Sequence, residues 1–141
     1  MRYAIQLTPD DNDTVLVTVP DFPEVATFGV DDREAWARAH DAVDTAIQGR
    51  MTDREPIPQP DAQGRLFVTL PVLSAMKVAL YRALLDSDLR KADLGRRLGW
   101  KPAQVDRLFN LHHASRVDQL EEAFAALGKT LEIDVRDAAG R

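Results

Sequence analysis

The stretch KADLGRRLGWKPAQVDRLFN, residues 91–110, constrains this chain more than any other. Leu94, Leu98, Val105 and Leu108 mark two short helical periods. Gly99 stands between them, where a tight turn joins two helices. Gly95 lies inside the first, where a missing Cβ lets the second helix cross closely. An apolar residue, a small residue at the crossing, a glycine turn and a helix with one outward face make the pattern of a helix-turn-helix.

Pro102 is favourable in the first turn of the second helix, where its absent N–H is no loss. The spacing predicts a helix over 102–110, with Val105, Leu108 and Phe109 inward and Ala103, Gln104 and Arg107 outward, Lys101 standing just ahead. Gln104 can pair bidentately with adenine, and Arg107 with guanine or along a phosphate. Residues 90–116 hold seven basic side chains (90, 91, 96, 97, 101, 107 and 116) against two acids, Asp93 and Asp106, inside a chain of net charge -5. Such a local reversal suits a phosphate-contacting face. The second helix has no Ser, Thr, Asp or Asn before it, a loss of about 1 kcal/mol relative to a capped start. Trp100 is expected to plug the turn instead.

The rest of the chain reads differently. Residues 2–8 alternate as a strand rather than as a secretion leader, Asp10-Asp11-Asn12-Asp13 is a turn, and 14–19 is a second, β-branched strand. Pro20 and Pro23 flank an expected exposed loop, followed by a third strand over 25–30. Asp31 with Glu34 forms a capping box for a helix carrying Trp36, Ala39, Val43 and Ile47, which Gly49 is expected to end. Residues 52–64, with prolines at 56, 58 and 60, read as an extended connection, and 65–70 as a fourth strand. Met76, Leu80 and Leu84 line a further helix; Val117, Leu120, Phe124 and Leu127 line the last one. Leu131, Ile133 and Val135 then alternate with polar residues as a lone strand over 130–136, which needs a partner in the front sheet or in a second copy; the second is favoured. The expected fold class is therefore α+β: a β-β-β-α-β front module over 1–71, then an all-α helix-turn-helix and dimerisation module over 72–141 with a C-terminal strand.

Charge follows the same division. Residues 1–60 carry 12 acids and 5 bases, whereas 71–130 carry 10 bases and 7 acids. Two partners of opposite charge are implied, nucleic acid behind and a basic protein in front. The chain has no cysteine, which excludes disulfides and thiolate chemistry and permits a reducing cytoplasm. No apolar run reaches the roughly 20 residues of a membrane span. The acids at 10, 11, 13, 21 and 24 cluster in turns without a calcium-loop spacing, and His112 and His113 are adjacent, so no metal site is expected. Neither a phosphate loop nor a nucleophile elbow is present, and an enzyme or a bound cofactor is not expected.

The opening YAIQL, the turn PDDND, TVLVTVPDFPE, TFGVDDREAWARAHDAVDTAI, RLFVTLP and the distal LGRRLGWKPAQVDRLFNLHHASRVDQLEEAFAALGKTLEIDV together resemble the HicB family of antitoxins, in the subtype with a C-terminal helix-turn-helix. The resemblance runs nearly the whole length. It implies a front module of partial ribonuclease-H-like fold, without catalysis, that binds a small basic HicA-like toxin cleaving messenger RNA, and a back module that represses the operon of the pair. On that resemblance Asp10, Asp11, Asp13, Asp21 and Phe22 are the expected toxin-facing rim. Gln104 and Arg107 are the expected base readers, with Lys91, Arg96, Lys101 and His113 on the DNA backbone. Family members commonly follow PDFP with Gly and Cys, where this chain has Glu24 and Val25. The alternative reading is a stand-alone helix-turn-helix regulator whose front module senses a ligand or holds an oligomer.

Overall fold

The computed structural model describes residues 1–138. Four strands, β1 (Arg2–Pro9), β2 (Val15–Val19), β3 (Phe22–Gly29) and β4 (Leu66–Thr69), form an antiparallel sheet in the order β3-β2-β1-β4. Helix α1 (Asp32–Thr52) follows β3 and packs on the sheet. Its start is the expected one: the Asp31 carboxylate accepts the Glu34 N–H at 2.8 Å. Ala35, Ala39, Val43, Ile47 and Met51 form one buried stripe, and the small residues at its head let the helix lie close to the strands. Against it, Tyr3, Ile5, Val17, Val19 and Val68 complete the core.

Two local expectations fail in this half. Helix α1 runs past Gly49 to Thr52, because its last turn brings Met51 into the core. That burial offsets the roughly 1 kcal/mol that a glycine costs inside a helix. The segment after Pro20 is not an exposed loop. Val19 pairs with Phe22 across the Pro20-Asp21 turn, so β3 starts three residues earlier than read. Pro23 is tolerated there because β3 is an edge strand.

The second half is helical: α2 (Val72–Asp86), α3 (Lys91–Leu98), α4 (Pro102–Leu108) and α5 (Val117–Ala126). Gly99 caps α3 in the left-handed region at φ 70°. At Gly95 a Cβ would stand 3.2 Å from the Val105 methyl and 3.3 Å from the Trp100 carbonyl, tighter than ordinary contact, so the glycine suits the close crossing of α3 and α4. The expected C-terminal strand is absent. Residues 130–136 join no ladder; Leu131 packs against the core, while Ile133 and Val135 stand 84% and 89% exposed. The free edges of the sheet are β3 and β4, neither of which takes this segment, and one extended segment alone gains no ladder bonds.

The halves are tied together. Gln48 of α1 donates to the Phe109 carbonyl at 3.0 Å and accepts the Leu111 N–H at 2.7 Å. Beside it, His112 Nε2 lies 3.1 Å from the Asp44 carboxylate. Burial raises the Asp44 pKa, and His112 pulls it part of the way back.

Candidate nucleic-acid interface

Helix α4 is held by its apolar side. Val105 and Leu108 are buried, as is Phe109 at its end, and Leu94 and Leu98 of α3 pack into the same core. That leaves Ala103, Gln104 and Arg107 exposed, as the period requires. The start of α4 has no cap from the residue before it. Gln104 supplies one from inside the helix, its Oε1 accepting the Lys101 N–H at 2.9 Å. The Gln104 amide N–H donors stay available, while its oxygen is occupied in the free protein.

Gln104 and Arg107 line a concavity of about 230 Å³ together with Trp100, His113, Arg116 and Gln119. The Arg107 side chain makes no hydrogen bond or ion pair among the described residues, the contacts from Lys77 and Ser115 going to its main-chain carbonyl, so its guanidinium is uncommitted. His113 Nδ1 stands 3.1 Å from the Ser115 hydroxyl, which faces its ring into the same basin. Arg116 and Gln119 enter from the start of α5, where the Asp118 carboxylate already accepts the Gln119 N–H at 2.9 Å. Asp118 tempers the charge by pairing with Arg116 at 2.5 Å. Neither Arg116 nor Gln119 belongs to the sequence-derived set. The signal was there: the Val117-Leu120-Phe124 period puts Arg116 just ahead of a helix and Gln119 on its outer side.

The other basic candidates lie elsewhere. Lys91 sits at the start of α3 with its ammonium 3.5 Å from Asp106 and over the Phe109 ring at 5.4 Å. Arg96 pairs with Asp93 on the same helix. Both line a separate, mainly apolar groove between α3 and α4 with Ala92, Gly95, Trp100 and Val105. Lys101 is exposed at the head of α4. The structure thus gathers Gln104, Arg107 and His113, keeps Lys101 adjacent, and sets Lys91 and Arg96 to one side.

On the front module, Asp11 and Asp13 are exposed in the β1–β2 turn and Asp10 is half-buried, its Oδ1 accepting the Asp11 N–H at 2.8 Å. Asp21 is turned inward, both carboxylate oxygens 3.2 Å from the Ala62 N–H. Phe22 is not a rim residue. It is 0% exposed and stacks edge-on against Tyr3 at 4.9 Å, because the tight turn folds it under the sheet. Glu24 and Val25 have structural uses: Glu24 receives Arg50 in a two-pronged pair at 2.8 and 2.9 Å, and Val25 is buried. The Arg50 guanidinium holds the Glu24 carboxyl below its ordinary pKa.

The family described as the HicB-like antitoxin of bacterial toxin–antitoxin system matches residues 2–79. Antitoxin HicB of Escherichia coli is 38% identical over 94% of this chain and 98% of its own length. Antitoxin HicB 2 of Photorhabdus laumondii is 38% identical over 94% of this chain and 95% of its own, and Antitoxin HicB of Pseudomonas fluorescens 35% over 97% and 95%. The chain therefore belongs to the HicB-like family of antitoxins of bacterial toxin–antitoxin systems.

Proposed function

We propose that this antitoxin neutralises a small, basic, mRNA-cleaving toxin of HicA type through its acidic front module and represses the operon of the pair through α4. The carrying observation is the separation of charge. Residues 1–60 hold 12 acids against 5 bases, while Gln104, Arg107, His113 and Arg116 converge on one basin in the other half. Of the toxin-facing candidates, Asp11 and Asp13 stand exposed, and Asp10 and Asp21 are half-buried. Gln104 and Arg107 read base edges; Lys101, His113 and Arg116 hold phosphates, with Lys91 and Arg96 further out. Residues 72–141 act as the DNA-binding and dimerising unit, and 1–71 as the toxin-binding unit. Residues 130–136, unpaired in one chain, zip against their copy in a second, which presents two α4 helices to two half-sites about one helical turn apart. Both roles belong in the cytoplasm, where messenger RNA and operator are found, and neither requires chemistry from this chain.

Co-expression with the neighbouring reading frame, mass determination of the purified complex and an operator gel shift test the reading together. A small basic protein bound at fixed stoichiometry, and a shift of the chain's own promoter in preference to random duplex, are expected. A chain that copurifies with nothing and binds both duplexes alike overturns it.

A further inference from the structure

Lys77, in the middle of α2, is 0% exposed. Its Nζ donates to three main-chain carbonyls, those of Arg107 at 2.9 Å, Asn110 at 2.6 Å and His113 at 2.6 Å. It takes part in no ion pair among the described residues. All three acceptors belong to the end of α4 and the loop behind it, where the helix concentrates negative dipole; each also accepts a main-chain N–H, from Asn110 at 3.3 Å, His113 at 3.1 Å and Ser115 at 2.9 Å respectively. An ammonium has three N–H donors, and here each meets one carbonyl.

We infer that Lys77 is a positioning residue for the reading helix: its buried ammonium gathers the three carbonyls and thereby sets how Gln104 and Arg107 leave the domain. This rests on the DNA-reading role proposed above. Helix α4 has only seven residues, too few to be stable on its own account. Its start is capped by its own Gln104, and its far end is held from outside by Lys77 of α2 together with Gln48 of α1. A buried charge is costly unless fully hydrogen-bonded, and an apolar side chain at 77 would fill the same space without that cost. What the apolar residue would lack is the threefold grip.

The grip depends on protonation. Burial holds the Lys77 pKa down to about 8. A neutral amine keeps two donors, so one carbonyl loses its contact with Lys77, keeping only its local partners, and the hold of α2 on the end of α4 loosens. The charged and titratable groups around the cradle are Arg107 on α4, His112 and His113 in the loop, Arg116 at the head of α5, and Asp44 of α1 against His112. Duplex DNA at the basin adds negative potential, which favours the ammonium. By linkage, operator binding then raises the Lys77 titration and deprotonation weakens the operator.

Operator affinity of the full chain, measured at constant ionic strength across pH values centred on about 8, tests this. Affinity should fall above the midpoint, by at most about tenfold per pH unit, and level off at the affinity of the neutral form. Amide resonances of residues 107–113 should shift with the same midpoint, and those of the sheet should not. Lys77→Met should abolish the break in affinity; a break that persists belongs to another group and overturns the inference. Should that variant not fold, the wild-type Lys77 ε-methylene resonances decide instead, because titration at the ordinary lysine value overturns it. Flat resonances over 107–113 mean that the clamp fails. Resonances that titrate, in a chain without operator preference at any pH, mean that the DNA-reading role fails.

Discussion

At the scale of single residues, Lys77 also makes a signed prediction about stability. Its pKa drops from an ordinary 10.5 to about 8 on folding, so between those values the unfolded chain holds the extra proton. Its contribution to stability therefore rises as pH climbs through that window. Tyr3 and Tyr81 act in the other direction: burial raises both above 10.0, and their contribution is lost once the unfolded phenols ionise. Denaturant unfolding should show stability increasing from pH about 8 toward 10, and Lys77→Met should flatten that limb. Arg107→Ala makes a different kind of prediction. Losing one bidentate base contact should weaken operator binding by about 1–3 kcal/mol at fixed salt while leaving the toxin complex intact; an unchanged isotherm would remove Arg107 from the reading set. Arg107 was legible because helical period alone turns it outward. Lys77 was not, since a lysine beside Met76 in an amphipathic helix reads as solvated, and its three partners lie 30 or more residues away.

At the scale of elements, the proline-rich connector is the clearest case of a segment whose role composition conceals. Prolines 56, 58 and 60 remove ladder donors and make the stretch look like a plain link between domains. What remains is a row of acceptors, and the folded chain uses them. Tyr3 donates to the Pro58 carbonyl at 2.7 Å, Tyr81 of α2 to that of Glu55 at 2.6 Å, and Arg82 to those of Ile57 and Pro58 at 3.1 Å each. The connector thus ties the sheet to α2. Tyr81→Phe should cost about 1 kcal/mol of global stability, the ordinary value of one such bond. Amide exchange over residues 53–58 should accelerate more than exchange in β1 and β2; uniform acceleration would show that the strap has no local role. Elements whose partners are near in sequence, such as the β1–β2 hairpin and the α3–α4 turn, were readable from period and turn chemistry. Residues 130–136 show the converse: alternation reports that a strand would have two faces, but nothing about a ladder to join.

At the scale of the whole molecule, two oppositely charged faces sit on one body joined by Gln48, Asp44–His112 and the connector. Coulombic steering acts over roughly a Debye length, about 8 Å at physiological salt, so under the proposed function each face would guide its own partner. The front turn offers a clean test. Asp13 holds φ 57°, a conformation asparagine adopts as readily as aspartate but lysine does not, so charge removal is the appropriate change rather than reversal. The double variant Asp11→Asn, Asp13→Asn removes two of the 12 acids in residues 1–60 with little change of shape. Association with the toxin should slow severalfold at low salt, and its dependence on ionic strength should flatten, whereas dissociation changes little. Operator binding by the same variant should keep its affinity and salt slope, because the replaced charges lie on the other module. Stopped-flow association rates over a salt series, with operator isotherms beside them, separate the outcomes. Equal toxin association rates in wild type and variant would take the β1–β2 turn out of the encounter surface and leave the remaining acids of the front module to supply the attraction.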